Sequence, residues 1–139
     1  MTLREVLHAH IPSLSATSTF RDAIDKMDIY QFPALVILDA DDAPLAVITE
    51  GDLSRAVSAQ GALVALSDEP AIKYATERPV CESADTEISD ALHKMLMSGL
   101  TILPVMDSGA MIGIVLRVDL MQALLSDALH SEEVMNDDQ

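Results

Sequence analysis

Apolar residues along this chain follow two alternating periods. Phe20, Ala23, Ile24 and Met27 recur at the i, i+3, i+4 and i+7 spacing of one helix face, and Ile88, Ala91, Leu92 and Met95 repeat that spacing later. Each helical stretch is followed by a short apolar run, Ala34-Leu-Val-Ile-Leu38 and Thr101-Ile-Leu-Pro-Val-Met106. Turn chemistry comes next, Asp39-Ala-Asp-Asp-Ala-Pro44 and Asp107-Ser-Gly109, and then a second run, Leu45-Ala-Val-Ile-Thr49 and Met111-Ile-Gly-Ile-Val-Leu116. Each second run meets a polar cap and another helix, with Leu53, Ala56 and Val57 or Leu120, Ala123 and Leu124 at its apolar positions. The predicted unit is βαββα, and it occurs twice.

The two units align residue by residue. Asp22-Ala-Ile-Asp-Lys-Met27 falls on Asp90-Ala-Leu-His-Lys-Met95 at an offset of 68, the distance from position 22 to position 90, and Ser15-Ala16, Leu35 and Asp39 fall on Ser83-Ala84, Leu103 and Asp107 at the same offset. After a turn one residue shorter in the second copy, Asp52-Leu53 meets Asp119-Leu120 at an offset of 67. One unit alone would leave half of its sheet exposed, so the expectation is an α/β fold in which two repeats pack through their sheets as one pseudo-two-fold globule. The boundaries read as residues 1–60 for the first repeat with an N-terminal helix, 61–74 for a connector, 75–130 for the second repeat and 131–139 for a frayed acidic tail. Gly61 reads as a helix stop, and Asp68-Glu69-Pro70 opens a short helical connector.

Charge narrows the function. Eight Lys and Arg against 23 Asp and Glu give a net charge of −15, a field that repels nucleic acid and anionic membrane surfaces. With two Tyr, two Phe and no Trp, there is also little aromatic surface on which bases would stack. The chain has no run of 18 apolar residues and no basic, apolar leader, so it is expected to be cytoplasmic. Cys81 is the only cysteine, which excludes an internal disulfide and leaves it a small packing residue. His8 and His10 stand at i and i+2, with no further ligand at metal spacing, so no metal site is expected. Met27 and Met95 read as core filler, and His93 and His130 as solvent-facing.

Leu103-Pro-Val-Met-Asp107 through Gly113-Ile-Val-Leu-Arg-Val-Asp-Leu120 resembles the CBS domain, and Leu35-Val-Ile-Leu-Asp39 with Ala46-Val-Ile-Thr-Glu-Gly-Asp-Leu53 resembles it more loosely, with Val36 for the usual Pro and Ala46 for the usual Gly. The resemblance, over residues 7–129, implies a Bateman-type regulatory module. Such modules often associate as flat homodimers, bind adenosine-containing ligands such as AMP, ADP, ATP or S-adenosylmethionine between repeats, and regulate a partner protein. By position it implies that Thr49 meets phosphate, Asp52 meets the ribose hydroxyls, Val47 lines the base or ribose, and Arg78, Pro79 and Val80 close the adenine side. A second site would involve Ile114, Arg117 and Asp119 with residues 10–13, but Leu116 stands where Thr49 supplies a hydroxyl.

Physical chemistry supports the same two residues. A strand running into a helix start offers unpaired N–H groups to a phosphate. Thr49 adds a hydroxyl, and an ionised Asp52 accepts the two O–H groups of a ribose diol. Glu50 beside them disfavours a highly charged polyphosphate. The same residues also suit plain helix capping with Asp52 as the N-cap, and Asp119, which persists without a hydroxyl partner, fits that alternative. A dimerisation scaffold that has lost its ligand therefore stays open beside the sensor. No nucleophile with a nearby base and no glycine-rich phosphate loop is apparent, so an enzyme is not expected, and no cofactor is required. With no effector domain in the sequence, the regulated effector would be a separate protein, or the chain a piece of a longer one.

Overall fold

A computed structural model describes residues 1–137. The first repeat carries β1 (Leu14–Ser15), α1 (Phe20–Tyr30), β2 (Ala34–Leu38), β3 (Pro44–Thr49) and α2 (Glu50–Gln60). A short helix α3 (Leu63–Leu66), a 3₁₀ turn (Ala71–Tyr74) and β4 (Thr76–Glu77) lead to the second repeat: β5 (Glu82–Ser83), α4 (Ile88–Ser98), β6 (Ile102–Asp107), β7 (Ala110–Leu116) and α5 (Arg117–Asp137). The strands form two sheets, β1-β2-β3-β4 and β5-β6-β7. In each, a parallel pair precedes an antiparallel hairpin, and equivalent pairs share a register: Leu14 opposite Ile37 matches Glu82 opposite Val105. The two copies of βαββα are thus borne out.

Alternation along the strands explains how two sheets make one globule. On β2, Leu35 and Ile37 enter a core with Phe20, Ala23, Met27 and Leu53 beneath the helices of the first repeat. Their neighbours Ala34 and Val36 point the other way and meet Ile102 of β6 and Ile114 of β7. The second repeat divides likewise, with Leu103, Val105 and Val115 joining Ile88, Met95 and Leu120 on the helix side. Strands buried on both faces read as unbroken apolar runs, which is why β2 shows no polar alternation. Full burial of one large side chain such as Phe20 or Leu103 stabilises the fold by roughly 1.5–3 kcal/mol.

Helix ends follow local chemistry. Thr19 caps α1 by accepting from the Asp22 N–H (3.1 Å) while the Asp22 carboxylate accepts from the Thr19 N–H (2.8 Å). Gly61 and Gly99 close α2 and α4 in the left-handed region, at φ of 71° and 62°. The Pro70 connector is a single 3₁₀ turn, with Pro70 just ahead of it.

Two expectations need correction. In place of an N-terminal helix in the first repeat there is one 3₁₀ turn, Leu3–Glu5, and it docks on the second repeat. Leu3 is fully buried among Ile88, Met95 and Leu120, its N–H donates to Thr86 O (3.0 Å), and the Arg4 N–H donates to Ala84 O (2.9 Å). These contacts need the segment to arrive extended, which a longer helix would prevent. The 3₁₀ turn at Ala71–Tyr74 does the same for the first repeat, where Ala71 is fully buried. Each repeat is therefore completed by the segment leading into the other. The second correction concerns the acidic tail: α5 continues as helix through Asp137, with no Gly or Pro after Arg117 to stop it, and residues 138–139 lie outside the described part.

Candidate functional site

The end of β3 and the start of α2 form one wall of a cleft between the repeats. Pairing with β2 (Val47 opposite Val36) fixes Val47, and β4 pairs on the other edge of β3, with Thr76 opposite Val47. Beyond β4 the chain turns at Arg78, a non-glycine residue at φ 54°, held by its N–H to Leu45 O (3.3 Å). Such a backbone costs on the order of 1 kcal/mol or more and is retained only where its surroundings impose it. This turn carries Pro79 and Val80 across the cleft. Val47, Thr49, Arg78, Pro79 and Val80 line one cavity of about 290 Å³, closed on the far side by Leu100 and Ile102. A second cavity of about 430 Å³ adjoins it through Thr49, Thr76, Gly99 and Thr101 and extends over Gly51, Asp52 and Arg55. The six residues expected at the first site thus lie along one continuous cleft, apolar at the Val80 end and polar at the Asp52 end. Its size suits a small organic ligand.

Thr49 and Asp52 also bond to each other. Thr49 is the N-cap of α2 and accepts from the Asp52 N–H (3.1 Å), and the Asp52 carboxylate accepts from the Thr49 N–H (2.9 Å). This corrects the assignment of Asp52 as N-cap: it stands three residues in, as the returning half of a capping box. Its other carboxylate oxygen accepts from Arg55 Nη2.

The equivalent place in the second repeat is arranged differently. Asp119 accepts from the Leu116 N–H (2.9 Å), but with no threonine there the reciprocal bond is missing. The same Asp119 oxygen meets His8 Nε2 at 2.8 Å. His8 exchanges both backbone hydrogen bonds with Ile114, at 2.9 and 3.1 Å, and its ring stands edge-on to Phe32 with centroids 6.3 Å apart. Glycine at 113 permits this approach, because a Cβ there would lie 2.5 Å from His8 O. Ile114 is 1% exposed within the inter-sheet core, and Arg117 lies on the surface. Of the segment 10–13, Ile11 packs into that core, whereas Ser13 lines a separate hollow with Lys26 and Asp39. At this place Ile114 is packed into the inter-sheet core, Arg117 stands on the surface, and His8 stands against Asp119.

Sequence reasoning did not single out Thr76, Gly99, Thr101 and Arg55 in the first cleft, or His8 in the second. One signal was available: at the offset of 68, His8 falls on Thr76, so both belong to the strand segment that edges the partner repeat. Beside the cleft, burial pushes the Cys81 thiol above its ordinary pKa, so it stays protonated and a poor nucleophile. Among the described residues no three His, Cys, Asp or Glu side chains gather as a metal site would require, and no helix is long and apolar enough to cross a membrane.

Similarity to known proteins follows the same division. An uncharacterized 17.7 kDa protein of Acidianus ambivalens is 35% identical over 108 residues, 77% of this chain and 63% of that one. A protein of Methanopyrus kandleri is 31% identical over 124 residues, 88% of this chain and 62% of that one, so the chain spans less than two thirds of both relatives. Among solved structures, CBSX2 in complex with AMP superposes with a TM-score of 0.79 at 20% identity, covering 91% of this chain and 98% of that one. The sequence profile of the CBS domain matches twice, over residues 3–59 and 71–126, each starting at the 3₁₀ turn that docks on the other repeat. The chain belongs to the CBS-domain family and carries two copies of that domain in tandem.

Proposed function

We propose that this chain is a regulatory, ligand-sensing module that binds an adenosine-containing nucleotide in the cleft between its repeats and modulates a partner protein. The observation that carries this reading is the convergence, in one cleft, of Val47, Thr49 and Asp52 from one repeat with Arg78, Pro79 and Val80 from the start of the other. The apolar end suits an adenine ring between Val47 and Val80, Asp52 suits the ribose diol, and the Thr49 hydroxyl suits a phosphate. CBSX2, which shares the fold, is a protein with AMP bound. A ligand touching both repeats biases their relative packing, and a change of that kind can be passed to an effector. In this reading the chain is not an enzyme, it works in the cytoplasm as a homodimer, and the nucleotide is a signal rather than a required cofactor. The dimer is supported by a ridge of exposed apolar residues on α5, Val118, Met121, Leu125 and Leu129, spaced along one helix face.

The capping box supports a second reading, a dimerisation scaffold without ligand, since Thr49 and Asp52 already satisfy each other. Thermal melting against AMP, ADP, ATP and S-adenosylmethionine separates the two. A ligand at about one hundred times its Kd stabilises by roughly 2.7 kcal/mol, a shift of several degrees. The sensor reading expects Asp52→Ala to abolish that shift and Asp119→Ala to leave it in place. No shift with any nucleotide favours the scaffold.

A further inference from the structure

The polar end of the cleft holds a cation to which the reading above gives no role. Arg55, one turn into α2, reaches back to Asp52 Oδ1, while Asp52 Oδ2 accepts the Thr49 N–H. The pair is lopsided: the Asp52 side chain is 11% exposed and the Arg55 side chain 73%. The guanidinium is thus held at one edge and open along the others. A Cβ placed on Gly51 would lie 3.1 Å from Arg55 Nη1 and 3.5 Å from Thr49 Oγ1. The guanidinium and the hydroxyl therefore converge over Gly51, which leaves that space clear, on the wall of the 430 Å³ cavity.

We infer that Arg55 makes this cleft selective for nucleosides carrying an anionic group over neutral or cationic ones. The inference rests on reading the cleft as an adenosine site. A ribose hydroxyl that takes up Asp52 Oδ1 competes with the guanidinium already there. A neutral nucleoside leaves the displaced cation uncompensated. A phosphate over Gly51 gives it a new partner: with five N–H donors in a fixed fork, Arg55 can hold Asp52 and a phosphate oxygen together. Arg55 also offsets the repulsion that Glu50 and Asp52, both on the cavity wall, exert on an anion. A cationic ligand such as S-adenosylmethionine meets the opposite balance.

The test is calorimetric titration of the intact chain, wild type, Arg55→Ala and Arg55→Lys, with AMP, adenosine and S-adenosylmethionine. Arg55 is exposed, so both variants should fold, and the lysine variant retains the charge while losing the fork. Arg55→Ala should weaken AMP about tenfold or more, as expected for losing a charge-assisted hydrogen bond, while adenosine and S-adenosylmethionine bind as well as before or more tightly. Arg55→Lys should fall between wild type and Arg55→Ala. If Arg55→Ala changes all three ligands by the same factor, or none of them, Arg55 is not a selectivity residue, although the cleft remains a nucleotide site. If wild type binds none of the three, the reading of the cleft fails and this inference goes with it.

Discussion

Asp52 and Asp119 occupy the same place in two copies of one fold, three residues beyond the end of a strand, but different partners meet them. Asp52 is met by the threonine of its own capping box and by Arg55 on the same helix, and the cleft in front of it is open. Asp119 has no threonine and is met by His8, which arrives from the far end of the chain. The equivalent of His8 in the first copy is Thr76, a side chain too short to make such a bridge. A duplicated fold thus keeps the aspartate that organises a helix start and varies what stands across from it. The first aspartate borders an open cleft, and the second is bridged by a histidine from the start of the chain.

The comparison assumes that the two copies stand or fall together, and the largest expected effect tests that assumption. Phe20 and Ile88 are equivalent, fully buried, and lie in separate helix-side cores. Phe20→Ala should cost about 3–5 kcal/mol and lower the melting temperature by roughly 10 °C or more. Because the sheets share the cluster of Val36, Ile102 and Ile114, scanning calorimetry should still record a single transition. Two resolved transitions would mean that the copies unfold separately.

Next in size is the contact that distinguishes the second cleft. At Gly113 an added methyl group would meet His8 O at 2.5 Å and Leu7 Cδ1 at 2.7 Å, whereas the first copy tolerates Ala46 in the equivalent place, opposite Glu77 of β4. Gly113→Ala should destabilise by about 1–3 kcal/mol. It should also speed amide exchange at His8 and Ile114, whose backbone bonds it pushes apart. Unchanged exchange at both amides would show that β7 accommodates the methyl group as β3 does.

The cap of α2 comes third. Thr49→Ala removes the acceptor for the Asp52 N–H and should cost about 0.5–2 kcal/mol in a melting experiment without ligand. A loss well above that range would mean that Thr49 holds more of the cleft than its helix end.

Much of this comparison was visible in the sequence. The 3.6 period marked the buried faces of α1, α2 and α4, and unbroken apolar runs located the long strands to within a residue, as Ala34–Leu38 shows for β2. The repeat register, 67 residues past the shorter turn, paired Asp52 with Asp119 and exposed Leu116 as the missing hydroxyl. The closing contacts were hidden. Leu3, Val6 and Leu7 are apolar, but nothing local says that they pack on the core of the second repeat rather than the first. Arg55 reads as an ordinary surface residue of α2 until its hydrogen bond to Asp52 on the cleft wall is known. Thr101 and Gly99 enter the cleft only because the other repeat brings β6 alongside. Periodicity reports burial within an element, whereas these residues depend on which element arrives from a distance.

The smallest expected effect contrasts the copies by pH. Lys26 and Lys94 are equivalent, but Lys26 donates to Ser13 O (2.6 Å), which does not titrate, whereas Lys94 pairs with Glu82, where the first copy has Leu14. The hydrogen bond from Lys94, helped by the Thr86 hydroxyl, holds the Glu82 carboxyl below the ordinary glutamate range. A carboxylate lowered in the folded state contributes stability that is fully present above its unfolded value, near 4.3, and is lost as pH falls through the lower folded value. Glu82→Gln should therefore be less stable than wild type at pH 7, by about 1 kcal/mol or less since Lys94 is partly exposed. The gap should narrow below about pH 4, where wild-type Glu82 also becomes protonated. Lys26→Met is the control from the first copy: its cost, measured by urea unfolding across the same range, should not vary with pH through this contact, because a carbonyl oxygen has no proton to gain. A gap for Glu82→Gln that stays constant down to pH 3 would show that Lys94 packs against Glu82 without pairing with its charge.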